Sequence, residues 1–394
     1  MRPDFSQEIA TIRDLFPGAN GATIPLHAPR FGDEERAYVL ECIESTFVSS
    51  VGAFVDRAER ALADFTGARH AVACVNGTSA LHLALRLAGV GPDDLVVTQA
   101  FTFVATANAI HYCGAAPAFC DIAEHTRALD PEAVDAFLSR ACTRNTAGEP
   151  IHTASGRRIA ACVPMHTYGF CADMPALQRV CEAHGVPIVE DAAESLGSRI
   201  GARHSGTFGQ MGAVSFNGNK IVTAGGGGML LTDDPALARR AKHLTTQAKV
   251  PHAWAFRHDE IGFNYRMPNL NAALLCAQMR RLDAILAIKR DLAETYARSL
   301  ANSQLSLLTD PAGQSSNYWL CAAMTESQEA RDAFLDQANA HKIQARPAWD
   351  LMVDLPMFAG SVVHGDLPVS RDTQRRLVNL PSSPHHFQEA DAHA

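Results

Sequence analysis

From about residue 55 to about residue 250, short apolar runs alternate with longer stretches in which apolar positions recur every three or four residues. HAVACV at 70–75 is followed by SALHLALRLAG, and LVVT at 95–98 by TFVATANAIHYCG. APAFCDI, RIAACVPMH at 158–166, VPIVEDAA at 186–193, GAVSF at 212–216 and GMLLTD at 228–233 continue the series, with MPALQRVCEAHG and PALARRAKHLTTQ as helical stretches between and after them. Runs that are apolar at consecutive positions fit strands covered on both faces. Their alternation with helices predicts an α/β fold with a mostly parallel sheet sandwiched by helices. Ligands of such sheets bind beyond the carboxyl ends of the strands.

From about residue 270 the pattern changes. NAALLCAQMRRLDAILAIKRDLAETYARSLA reads as one long helix with an Ala/Leu face for packing. Shorter mixed segments lead to the His-rich HHFQEADAHA, which reads as a frayed end rather than a metal site. A chain of 394 residues exceeds one compact core of ordinary size. We expect a large unit at 1–265, including an N-terminal segment 1–30, and a smaller C-terminal α+β unit at 266–394.

Composition narrows the classes. Hydrophobic residues at 47% and charged residues at 19% describe a chain that can bury a core. A formal charge of −8 argues against a general nucleic-acid surface. The ten cysteines form no C-x-x-C pair and no Cys/His grouping at zinc spacing, so they read as small buried apolar residues and no metal is expected. The start, MRPDFSQEIATIRDLF, lacks the basic and apolar regions of a signal peptide. No apolar run reaches the roughly 18 residues of a membrane span. The expected location is cytoplasmic.

Candidate chemistry begins with a scarce residue. Only five of the 34 basic residues are lysines, and the first, Lys220, follows an apolar run in SFNGNKIVTAGGGGML. Only an ammonium, not a guanidinium, readily loses its proton to become a nucleophile. The four glycines after it stand in the wrong order for a P-loop, which places lysine after its glycines. They read better as residues that let the backbone pass close to a bound ring.

Three further segments carry candidates. In CVNGTSALHLAL at 74–85, Gly77 permits a tight turn and Thr78 and Ser79 can cap the helix. The first-turn N–H groups and two hydroxyls suit a phosphate, although a plain helix cap needs the same residues. His82 is read as lying opposite the apolar stripe and receives no role. In VPIVEDAAESLGS, Glu190 and Asp191 end a strand and point to opposite faces, so only one should enter a site. That carboxylate can serve a metal, a ribose, a protonated ring nitrogen or the next helix. An aromatic FTFVAT segment at 101–106 precedes both, and Ser215 lies just before Lys220. In this order the segments supply a phosphate cradle, a stacking ring, a carboxylate and an amine, the inventory for pyridoxal 5'-phosphate (PLP).

On NGTSALHLAL, FTFVATANAI, PMHTYGFCADM, VEDAAESLGS, SFNGNK, GGGGMLLTD and GFNYRMPNL, the chain resembles the fold-type-I, PLP-dependent sugar aminotransferases of the DegT/DnrJ/EryC1/StrS family. Further segments, among them HLTTQAKVPHAW and ARPAWDLMVDLPMF, most resemble the legionaminic-acid-pathway subgroup, which acts on UDP- or GDP-linked 4-keto-6-deoxy hexoses. The resemblance implies that Lys220 binds PLP covalently and later shuttles a proton, and that Asp191 pairs with the pyridinium nitrogen. It implies that Thr78, Ser79 and Ser215 hold the phosphate and that Phe103 stacks on the ring. It also implies that Asn264 reaches the cofactor phosphate of a neighbouring subunit, hence a homodimer with shared sites. The family more often has Gln or His where this chain has Glu194, and a carboxylate there would repel the cofactor's phenolic oxygen unless protonated or turned away. His166, Arg266 and Arg346 are substrate candidates, each with a packing or ion-pair alternative. L-Glutamate is the expected donor and a nucleotide-linked keto-sugar the acceptor. A 3-aminotransferase, a PLP-dependent dehydratase and a non-catalytic PLP-binding regulatory module compete, although in such dehydratases the lysine position is typically histidine.

Overall fold

The computed structural model describes residues 3–19 and 21–384, so HHFQEADAHA at 385–394 lies outside the described residues. The alternating runs form strands β1 His70–Cys74, β2 Leu95–Gln99, β3 Ala116–Cys120, β4 Ile159–Val163, β5 Val189–Asp191, β6 Met211–Ser215 and β7 Gly228–Thr232. β2 pairs in parallel with β3 and β4, and β5 pairs in parallel with β6. Parallel bridges Cys162–Ile188 and Met165–Asp191 join the β4 and β5 edges. β7 runs antiparallel to both β6 and β1. The order of these seven strands is therefore β3-β2-β4-β5-β6-β7-β1, only β7 runs against the rest, and Val362–Val363 adds a short parallel strand beyond β3.

Period-2 alternation explains why these strands lack a polar face. In β1, Ala71 and Ala73 join one buried cluster while Val72 and Cys74 join another. The first cluster is completed by α3 (Ala53–Thr66) and α9 (Asn269–Arg280), and the second by α4 (Gly77–Leu87), α5 (Val104–Tyr112) and α8 (Pro235–Thr245). Helices on both faces leave nowhere for water, so both side-chain rows must be apolar.

The long helix expected from residue 270 is two helices. α9 ends at Arg280, Arg281 forms a turn, and α10 runs Leu282–Ser299. The Arg281 N–H bonds to the Gln278 carbonyl at 3.0 Å, an i→i−3 contact that tightens the last turn. The break falls inside one cluster: Leu275 and Cys276 of α9 and Leu282, Ile285 and Leu286 of α10 all pack in the sheet cluster, and only the later Leu292 and Tyr296 of α10 join a cluster with α11 (Gln328–Ala340). Helix α1 (Ser6–Asp14) lies in that second cluster, with Phe5 edge-on to Phe334 at 5.4 Å between ring centroids.

The glycine run answers to the protein itself. A Cβ on Gly228, at the start of β7, would be driven into the Asn76 carbonyl and the Gly77 nitrogen, and one on Gly227 would meet Met267 Cε at 2.9 Å. Gly228 thus lets β7 lie directly beneath the start of α4. Gly228→Ala should cost about 3 kcal/mol or more, because the obstacle is backbone and cannot rotate away. Gly226→Ala, whose Cβ would have nothing nearer than the Val75 carbonyl at 4.0 Å, should stay within about 1 kcal/mol of wild type in urea unfolding.

Candidate active site

Strand direction assembles the site. Because β1, β5 and β6 point the same way, their carboxyl ends carry Asn76–Thr78, Asp191 and Ser215 to one edge. β2 ends at the same edge and leads to Phe103. A cleft of about 270 Å³ opens there, and its walls include Thr78, Phe103, Asp191, Ser215, Asn217 and Lys220. Five of the expected residues thus share one space.

The turn into α4 differs in detail from expectation. Asn76, rather than Thr78 or Ser79, is the N-cap, accepting the Ser79 N–H at 2.7 Å. Gly77 is there for close approach, not for a tight turn: a Cβ would stand 2.7 Å from Ser215 Cβ. With the Ser79 N–H committed to the cap, Gly77 and Thr78 at the start of α4 line the cleft beside Ser215. Ser79 itself is buried and does not line the cleft.

Glu190 and Asp191 diverge as the strand pleat requires. Glu190 turns inward, accepting from the Gly206 and Gly209 N–H groups at 2.7 and 2.6 Å. His166, fully buried, accepts the Ala172 N–H on Nδ1, so Nε2 carries its proton toward Glu190 at 2.9 Å. Both nitrogens are engaged by the protein itself, and His166 does not line the cleft. Asp191 faces the cleft and accepts from the Thr106 hydroxyl at 2.8 Å and the Ala193 N–H at 3.1 Å. Burial pushes its carboxyl above the usual range, while those two donors and Lys220 pull it back.

Glu194 is turned toward the protein's own donors. One oxygen stands 3.3 Å from Lys220 Nζ, and the other accepts the Tyr168 N–H at 2.9 Å. Tyr168 delivers that N–H from a left-handed conformation, φ 55°, that non-glycine residues rarely adopt. Burial outweighs the attraction of Lys220 and lifts the Glu194 carboxyl to about 7.

The remaining candidates lie elsewhere. Asn264 is exposed and accepts from Arg266 at 3.0 Å, and neither residue lines the cleft of its own chain. Arg346 is exposed and bonds Asn339 Oδ1 at 3.2 Å, also outside the cleft. His82 is not on a solvent face: it is buried, with Nδ1 3.1 Å from the Tyr265 hydroxyl. Sequence reading missed Thr106 and Asn217. Thr106 sits three residues after Phe103 on the first turn of α5, a spacing that places both at the same helix start. Away from the cleft, His243, Asp259 and Glu260 bring potential metal-ligand atoms within 4.8 Å of one another. They are bonded to each other and to Arg240.

A buried carboxylate, a helix N-terminus with two hydroxyls, a half-exposed ring and a lysine amine form a donor set that fits PLP. The sequence pattern of the DegT/DnrJ/EryC1/StrS aminotransferase family matches residues 29–393. The chain belongs to this family. A GDP-perosamine synthase from Caulobacter vibrioides is 35% identical over 364 residues, covering 91% of this chain and 93% of the relative. A GDP-perosamine synthase from Vibrio cholerae is 33% identical over 363 residues, covering 92% and 94%. The crystal structure of a DegT DnrJ EryC1 StrS aminotransferase from Brucella abortus superposes with a TM-score of 0.82 at 26% identity, covering 91% of this chain and 92% of that one. The family's fold and the mostly parallel sheet described above are the same.

Because Glu194 titrates near 7 in the folded chain against an ordinary value of 4.5, the folded state holds the extra proton between those values. Its contribution to stability therefore falls as pH rises through that window, by on the order of 1–3 kcal/mol. In cofactor-free protein, thermal unfolding at pH 5 and pH 8 should show a smaller loss for Glu194→Gln than for wild type.

Proposed function

We propose that the chain is a cytoplasmic, ping-pong aminotransferase that uses PLP. It moves an amino group from L-glutamate to the C4 ketone of a UDP- or GDP-linked 4-keto-6-deoxy hexose, for surface-polysaccharide amino sugars. One observation carries this reading: the Lys220 amine shares a cleft with the buried Asp191 carboxylate and the open N-terminus of α4. The two GDP-perosamine synthases, named for a GDP-linked sugar, support a nucleotide-sugar acceptor.

When bound, PLP would draw off the electrons left on the substrate carbon once its proton is removed. The chain's residues make that effective. The first turn of α4, with Thr78 and Ser215, holds the phosphate. Phe103 stacks on the ring. Asp191, oriented by Thr106 and Ala193, keeps the ring nitrogen protonated by placing a negative charge beside it. Lys220 holds the cofactor, and once released its amine moves a proton from the substrate carbon. Glu194, bonded to the Tyr168 N–H, accepts and returns a proton at Lys220 Nζ. Ser79 does not line the cleft and is given no role at the phosphate.

Asn264 and Arg266, standing outside the cleft of their own chain, are assigned to the cleft of a second copy, Asn264 at its phosphate and Arg266 at the nucleotide diphosphate. The working unit is then a homodimer with shared sites. Arg346 receives no role.

Purified protein with PLP should show a visible absorption band that L-glutamate abolishes. Lys220→Ala should lack the band and lose turnover by several orders of magnitude. No band in wild type sinks the proposal. A panel of UDP- and GDP-linked 4-keto sugars, with the product nitrogen located by NMR, should place the amine on C4; nitrogen on C3 would make the enzyme a 3-aminotransferase.

A further inference from the structure

Lys220 is held from two sides. Its Nζ lies 3.3 Å from Glu194 Oε1 and 4.0 Å from the centroid of the Trp319 ring. Trp319 is 5% exposed, and its indole N–H donates to the Asn219 carbonyl at 2.6 Å. One side chain therefore grips the backbone immediately before the lysine and presents its π face to the lysine's ammonium. Trp319 does not line the cleft and lies 99 residues beyond the lysine, among the C-terminal elements.

The main chain of Trp319 is itself fixed from behind. Asn317, fully buried, accepts the Trp319 backbone N–H on Oδ1 at 2.7 Å and donates through Nδ2 to the Glu194 and Leu196 carbonyls at 2.9 Å. Lys289 of α10, also buried, donates from Nζ to the Trp319 carbonyl at 3.0 Å and to the Ser382 carbonyl. Burial pushes this second lysine down to about 7. A chain with only five lysines thus buries one where its donors hold the main chain of Trp319.

We propose that Trp319 is a positioning residue for Lys220, setting where the lysine's amine stands and how readily it gives up its proton, with Lys289 and Asn317 holding the indole in place. This rests on the reading of Lys220 as the reactive amine. The physical reason is that an aromatic face within about 6 Å of a cation favours the charged form. The charged groups facing the Lys220 ammonium are Glu194 and Asp191, which favour the same form and remain when the ring is removed. Removing the ring should therefore free the amine at lower pH, and keeping a ring without its N–H should not.

The test labels amines in the full chain, freed of cofactor, with acetic anhydride across a pH series. Peptide mass mapping follows Lys220, with the exposed Lys249 and Lys342 as references. In Trp319→Leu the pH midpoint of Lys220 labelling should fall by about one unit, equivalent to about tenfold faster labelling below the midpoint. Trp319→Phe should keep a midpoint close to wild type, a rescue that a merely structural role does not predict. An unchanged midpoint in Trp319→Leu, or an equal fall in both variants, overturns the proposal. The readout needs no PLP, so absence of a visible band in wild type would reject the proposed function while these midpoints still decide the role of Trp319.

Discussion

The burial of Glu194 beside Lys220 is the constraint on which the cleft depends. Removing a carboxylate from water opposes its charge, and Lys220, at 3.3 Å, only partly offsets that cost. The balance leaves the carboxyl near 7, where it can hold or release a proton around neutrality. It lasts only because both oxygens are engaged, one by an amine and one by a backbone N–H delivered from a strained turn. Gly169, next to that turn, has φ +105° and no room for a Cβ against Asn317, so the strain at Tyr168 is backed by packing.

Much of this arrangement was legible before any coordinates. Asp191, Ser215 and Lys220 could be placed at a binding edge because strand ends, side-chain alternation and a nucleophile-capable amine are local properties of short segments. Thr78 was legible as a helix-start hydroxyl, whereas Phe103 was singled out from the FTFVAT segment by the family resemblance. The departure at Glu194 raised the right question, namely how a carboxylate is tolerated there, and the structure answers it through two donors that no spacing rule connects.

What was not legible depended on contacts across long separations. Nothing between residues 269 and 299 is Gly or Pro, so no local signal marks the break at Arg281, and the cluster packed on α9 continues past it through Leu282, Ile285 and Leu286. The fit of Gly228 against Asn76 has no local signature, because the two lie some 150 residues apart. His82 was misplaced because a helix packed on more than one side has no idle face. His166 stood at a strand end, yet the carboxylate that claims it, Glu190, faces inward.

The stretch Asn317–Trp319 touches the backbone at Glu194 and at Asn219 without entering the cleft. Under the proposal that Trp319 positions Lys220, substitutions in such a supporting stretch would alter the Lys220 amine by small increments, leaving the groups that line the cleft untouched. Selection could then adjust the working pH separately from the choice of sugar, a separation of traits that eases divergence among relatives sharing one scaffold.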